Sequence, residues 1–194
     1  MAEPTFAQLV SLACHDLRTP LATASGFART LQRLDDIGQP GERYAGMIGT
    51  AADQMAELLD LLSAAARVED ERFEPRVQST NARELADTAA GRLPEGAASV
   101  EGDGTAVDVD PNWAAVSLGA LAEAARRHGG LERIAFAVDG ATVEIAPIVD
   151  GAGEIATGEE LRDFAAAVGV RVLQAVGVGV ELDGDRLRVR FPEP

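Results

Sequence analysis

The sequence predicts an α+β protein: a long helical hairpin that pairs with a second copy into a four-helix bundle, then an α/β sandwich in which helices cover one open sheet. Three observations predict it. Two apolar series with three-four spacing fill residues 1–70, two Asp-Gly hairpins mark residues 71–194, and helical runs separate the strand pairs.

The first series is Val10, Ala13, Leu17, Ala24, Phe27, Leu31 and Leu34, with Pro20 in the remaining slot. That spacing puts these residues on one side of a helix. Thr5 and Gln8 supply a capping-box start, and Gly38, Gln39, Pro40 and Gly41 supply the stop. The second series is Tyr44, Ile48, Ala51, Met55, Leu58, Leu62 and Ala65, with Asp53, Glu57 and Asp60 between them facing solvent. Two such helices make an antiparallel hairpin, and a lone hairpin leaves half of each seam wet. A second copy covers it as a four-helix bundle; the alternative is that the second domain folds back over the hairpin and the chain stays monomeric.

Val68 to Arg76 reads as a charged linker entering an edge strand through Phe73, Pro75 and Val77. Asn81 to Leu93 is a helix, with Asn81 and Glu84 as a second capping box, and Ala106 to Val109 is a short strand. Asn112 to His128 is an alanine-rich helix closed by Gly129 and Gly130. Trp113 at its start reads as a domain-anchoring aromatic, and His128 at its end as a cation suited to the helix dipole. Ile134 to Val138 and Thr142 to Ile148 flank Asp139-Gly140; Glu159 to Val176 is helical; Val178 to Leu182 and Arg186 to Phe191 flank Asp183-Gly184. Gly177-Val178-Gly179-Val180 continues straight into a strand pattern and precedes no helix, which argues against a phosphate loop.

Composition narrows the function. All 17 basic residues are arginine, against 32 acidic ones, for a formal charge of −15. Without lysine, P-loop and Schiff-base chemistry cannot be built. An acidic surface repels nucleic acid. One cysteine, Cys14, cannot close an internal disulfide and reads as a packing residue, while two histidines, His15 and His128, cannot by themselves build a histidine-rich metal site, so no metal is expected. No run of about twenty apolar residues spans a bilayer and no signal-peptide pattern opens the chain, so the expected setting is the cytoplasm.

The chemistry concentrates in Ser11 to Leu21, SLACHDLRTPL. With the core side at Ala13 and Leu17, a step of about 100° per residue turns His15 to solvent. An exposed neutral imidazole is a good nucleophile whose phosphoramidate is a transferable, high-energy group. Asp16 stands beside it to orient the ring or take its proton. Arg18 and Thr19, three and four residues on, share its face and offer a guanidinium and a hydroxyl to phosphate oxygens. Pro20 removes the amide that would bond the Asp16 carbonyl and bends the helix.

HDLRTPL followed by an amphipathic helix resembles the phosphoacceptor motif of bacterial two-component histidine kinases, over Thr5 to about Glu69. The resemblance implies a homodimeric bundle in which His15 is phosphorylated, Asp16 is its acid/base partner, Thr19 serves dephosphorylation of the partner and Pro20 makes the kink. Residues 71–194 resemble the kinase ATP-binding domain in order and length, but depart from its motifs. In the stretch LAEAARRH, Leu121 to His128, Ala124 stands where the family has a magnesium-binding asparagine. Asp150-Gly151-Ala152-Gly153 keeps the adenine-loop aspartate in the wrong glycine register, which leaves Asp150 as a vestige or a turn former. Glu154 to Glu160 is too short for the lid, and Ala165-Ala166-Ala167-Val168-Gly169 replaces the glycine cluster whose amides cradle phosphate.

The sequence reading is therefore a degenerate ATP-binding domain without ATP, magnesium or other cofactor. It sits beside a histidine phosphotransfer hairpin that relays phosphoryl groups between response-regulator receiver domains through His15. A separate sensor kinase is a further expected partner; a membrane is not. Two rival readings are an ATP-dependent autokinase core and a non-catalytic regulator that sequesters a kinase or receiver.

Overall fold

The computed structural model describes residues 5–31, 33, 38–149 and 151–194. Leu34 of the first seam and Asp150 lie outside them. Helix α1, Phe6–Leu31, starts on the expected capping box: the Thr5 amide donates to Gln8 Oε1 at 2.8 Å, and the Gln8 amide donates to Thr5 Oγ1 at 3.3 Å. Helix α2, Gly38–Glu69, contains the cluster expected to stop the first helix. Proline is tolerated in a first turn because its missing amide has no partner there anyway, so Pro40 opens a helix here. The helix ends past Glu69, where Glu71 takes a left-handed φ of 54° and the Arg72 amide donates back to the Arg67 carbonyl at 2.8 Å. Phe27 and Tyr44 stack at 5.4 Å to join the two helices near their turn.

The second half is a mixed five-stranded sheet with helices on one face. Strand β1, Gln78–Asn81, pairs antiparallel with β3, Ala106–Val109, apart from the main sheet. The main sheet runs β2-β4-β5-β7-β6, from β2, Ala98–Gly104, β4, Ile134–Gly140, β5, Thr142–Ala146, β6, Gly179–Asp183, and β7, Arg186–Arg190. β2 and β4 are parallel and the rest antiparallel, with both Asp-Gly hairpins where expected. Helices α3, Ala82–Ala90, α4, Pro111–His128, and α6, Phe164–Ala175, contribute Leu85, Leu118, Leu121 and Leu173 to a core with Phe136, Ile145 and Leu187 of the sheet.

Several sequence expectations need correction. β2 was not expected, because ASVEGDG lacks clean alternation. Its Gly102, at φ +88°, lies so close to β4 that a Cβ would fall 2.0 Å from the Val138 carbonyl oxygen; the strand needs a glycine where the pattern wants a branched residue. The capping box on α3 is only half made: Asn81 Oδ1 accepts the Arg83 amide at 2.7 Å, but Glu84 accepts the Thr80 hydroxyl instead of the cap amide. The helix expected over Glu159 to Val176 begins at Phe164, because Asp163 Oδ1 caps it through the Ala166 amide at 3.1 Å. A short helix α5, Ala152–Ala156, precedes it. Asp110 caps α4 by accepting the Trp113 amide at 3.1 Å, and also holds the linker through the Arg76 amide at 2.8 Å.

On the open face of the sheet, Arg186 Nη1 and Arg188 Nε donate to the Glu144 carboxylate at 2.9 and 3.0 Å. Those two bonds, Arg186's first, hold the Glu144 carboxyl below its usual range. A carboxyl held low in the folded chain contributes stability above its unfolded value, near about 4.3, and loses it as the pH falls through the folded one. Glu144→Gln is expected to lower the melting temperature by about 1–3 °C at pH 7, with the difference from wild type closing in thermal scans as the pH drops through the carboxylate range.

Candidate functional site

The hairpin meets the α/β domain through α6. Leu9 and Ala13 of α1 and Leu61, Ala64 and Ala65 of α2 form a groove that receives Phe164, Ala167, Val168 and Val172, all buried. Leu9 thus takes the buried place expected for Val10, and Leu61 and Ala64 lie beside the expected seam. A second domain folded over the hairpin was one alternative in the sequence, and α6 covers one side of it. Phe73 meets Trp113 edge-on at 6.0 Å, the anchoring expected of that aromatic.

Against this frame His15 stands free. Its side chain is 75% exposed, and Nδ1 lies 3.0 Å from Asp16 Oδ1. A carboxylate only accepts, so Nδ1 carries the proton and the lone pair is left on Nε2, the outer nitrogen. Asp16 and Thr19 turn toward the α/β domain, where with Pro20 they line a cleft of about 840 Å³. Its other walls are Gln54, Glu57, Leu58 and Leu61 of α2, Gly91 and Arg92 after α3, Val116, Gly119, Ala120, Glu123 and Arg127 of α4, and Asp163 and Ala165 at the head of α6. Arg18 is exposed and does not line the cleft.

Gln54, Arg92, Arg127 and Asp163 carry no signal in the sequence that places them here, because each reaches the cleft from a different element. Glu57, expected in solvent, pairs with Arg92. Asp163 Oδ2 accepts Arg127 Nη2 at 2.6 Å and lies 3.4 Å from His128 Nε2, so His128 faces a carboxylate at the end of its helix. Cys14 is exposed, contrary to the packing role expected for it; it projects about 100° around the helix from Ala13, outside the groove that α6 fills. Among the described residues, no three His, Cys, Asp or Glu side chains are placed to hold a metal ion, and no helix is long and apolar enough to cross a membrane.

The exposed imidazole with its carboxylate neighbour on a proline-containing helix agrees with an independent match: residues 7–71 fit the family model of the His Kinase A (phospho-acceptor) domain. The hairpin thus coincides with the stretch that is similar to the phospho-acceptor domain. Together with the α/β domain behind it, the hairpin forms a fold that is also seen in solved histidine kinases. The chain resembles the histidine kinase AdeS of Acinetobacter baumannii with a TM-score of 0.64 at 16% identity, over 92% of this chain and 97% of that one. It also resembles the histidine kinase ThkA in complex with the response regulator protein TrrA, with a TM-score of 0.50 at 14% identity, over 94% of this chain and 59% of that one. At these identities the likeness speaks for the fold. No curated protein matches the chain. The matched range spans His15, Asp16, Arg18, Thr19 and Pro20.

Proposed function

We propose that this protein is a homodimeric histidine phosphotransfer protein that passes phosphoryl groups between receiver aspartates through His15. The observation that carries this reading is the exposed His15 ring with Nδ1 held by Asp16. Nε2 attacks the phosphorus of a receiver's aspartyl phosphate; the N–P bond forms as the P–O bond to the aspartate breaks, and the carboxylate leaves with its electron pair. Nδ1–H stays in place, so the ring becomes cationic, and the Asp16 carboxylate 3.0 Å away stabilises that charge. Transfer onward reverses the same steps. Arg18, exposed one turn on, meets the phosphoryl oxygens, and Thr19 positions an oxygen from the cleft side. The receiver supplies its own magnesium.

The α/β domain fits nucleotide poorly. Ala124, standing where the family's asparagine is expected, is fully buried in the core. Gly169, the nearest relic of a phosphate loop, serves helix packing: a Cβ there would sit 3.0 Å from Leu121 Cδ1 and 3.3 Å from Ser117 Cα. The head of α6 is sealed by Asp163 with Arg127, so neither group stands ready for a triphosphate. These features favour a relay fed by phosphorylated receivers over an autokinase, with the α/β domain serving as docking surface. Incubating the purified protein with phosphorylated receivers and following label onto His15 tests the reading; micromolar binding of ATP with magnesium overturns it.

A second copy has a surface to cover. Taking Ala13 as reference at about 100° per residue, Leu17, Val10 and Leu21 lie about 40–80° to one side, while Asp16 and Thr19 lie about 60–120° to the other. On α2, Met55, Ile48 and Leu59 similarly turn away from Leu61 and the domain. This leaves an apolar strip with Leu21 54% and Leu59 53% exposed, opposite the α/β domain. Pairing two such strips gives the four-helix bundle. Leu59→Arg, a charge set into that seam, is expected to convert the dimer to monomer in sedimentation equilibrium at micromolar concentration.

A further inference from the structure

Arg92, just past α3, makes a contact that phosphoryl transfer at His15 does not use. Its aliphatic stem lies flat against α4: a Cβ added to Gly119 would fall 3.2 Å from Arg92 Cδ and 3.3 Å from the Ala89 carbonyl oxygen. A side chain at position 119 would press on the stem and shift it by a few tenths of an ångström, so glycine gives the arginine room to lie close. Held in this way, the guanidinium crosses the gap and pairs with Glu57 on α2, thirty-five residues away in sequence.

The pair divides the space beneath the α/β domain. On one side is the cleft with Asp16, Thr19 and Pro20. On the other is a cavity of about 440 Å³ lined by Asp60, Arg67, Asn112 and Trp113. Glu57, Leu61, Arg92 and Val116 line both. The domain is seated on the hairpin by the apolar contacts of α6, and the open space lies between α4 and α2. A body fixed along one edge can tilt about it, and a tilt there changes how far α4 stands from Asp16 and Thr19. Arg92 and Glu57 tie that gap. Both are partly exposed, at 36% and 51%, so their pairing adds little to folding and acts on position.

We propose that Arg92 and Glu57 are a positioning pair that sets the width of the cleft beside His15, so that a docking receiver meets α4 and the Arg92 turn as a second wall. This rests on the reading of His15 as acceptor from receivers. The test uses the full chain in two reactions. Phosphoramidate, too small to span the cleft, labels His15 directly; the receiver that transfers fastest in the label assay serves as the second donor, in phosphorylated form. In Arg92→Ala and in Glu57→Gln, the ratio of receiver transfer to phosphoramidate labelling is expected to fall about three- to fivefold through a higher KM, with kcat held. Arg92→Lys, which keeps stem and charge, recovers most of the ratio. The double variant Arg92→Ala/Glu57→Gln loses no more than either single one, because the two act as a unit. Unchanged KM values, losses that add in the double variant, or an Arg92→Lys as impaired as Arg92→Ala overturn the pairing role. A wild-type His15 that phosphoramidate does not label overturns the acceptor reading itself, and is told apart by that reaction alone.

Discussion

A His15→Gln protein is expected to take no label from phosphoramidate or from any phosphorylated receiver, while circular dichroism and melting temperature stay at wild-type values. The second half of that expectation follows from exposure. At 75% exposed the ring contributes no packing, so its loss costs the fold nothing that heat would reveal. The first half follows from the ring's chemistry: the Thr19 hydroxyl is a weak nucleophile at neutral pH, Cys14 leaves the helix about 100° away, and glutamine has no lone pair basic enough to attack phosphorus. Asp16→Asn separates positioning from identity. An amide in place of the carboxylate no longer balances the imidazolium and can donate to Nδ1, which favours the wrong tautomer. Labelling is then expected to slow by about 10²-fold while still ending on His15, as read by mass spectrometry of the labelled peptide. A stable label elsewhere in the His15→Gln protein would sink the assignment.

The largest stability effect is expected at the joint between the two halves. Phe164 is fully buried, with Leu9, Ala13, Leu61, Ala64 and Ala65 of the hairpin among its cluster. Phe164→Ala removes a ring from a packed interface that has no spare side chain to refill it, and is expected to cost about 3–5 kcal/mol in urea unfolding. The loss falls on the seating of α6. Faster proteolysis near residues 70–76, where the chain leaves α2, is therefore expected alongside it, with His15 still labelled by phosphoramidate because that ring belongs to α1. An unfolding curve that does not move would mean that the groove between α1 and α2 holds α6 only loosely.

The elements whose signals are local in sequence were legible. Thr5 with Gln8, the two Asp-Gly turns, and the glycines after His128 fix ends and hairpins through bonds between near neighbours, and all appear in the structure. β2 has no local signal, because its pairing with β4 is long-range and needs Gly102 against a carbonyl, a demand that only the neighbouring strand imposes. The start of α6 was misplaced for a related reason: 159–163 is helix-compatible by composition, and only the Asp163 cap decides where the turn is made.

The site divides the same way. The sequence by itself determined how the imidazole is presented, because the helical period alone turns His15 outward, sets Asp16 beside it and brings Arg18 and Thr19 one turn on. Which way the hairpin faces was decided by tertiary structure. An amphipathic series marks one apolar side of a helix, whereas these helices have two: the groove of Leu9, Ala13, Leu61 and Ala64 that α6 fills, and a second strip where Leu21 and Leu59 stay exposed. Tertiary structure likewise gathered Glu57, Arg92, Arg127 and Asp163 around one cleft. Attraction between opposite charges depends on distance through space, and the order of residues along a chain does not record that distance until the chain has folded.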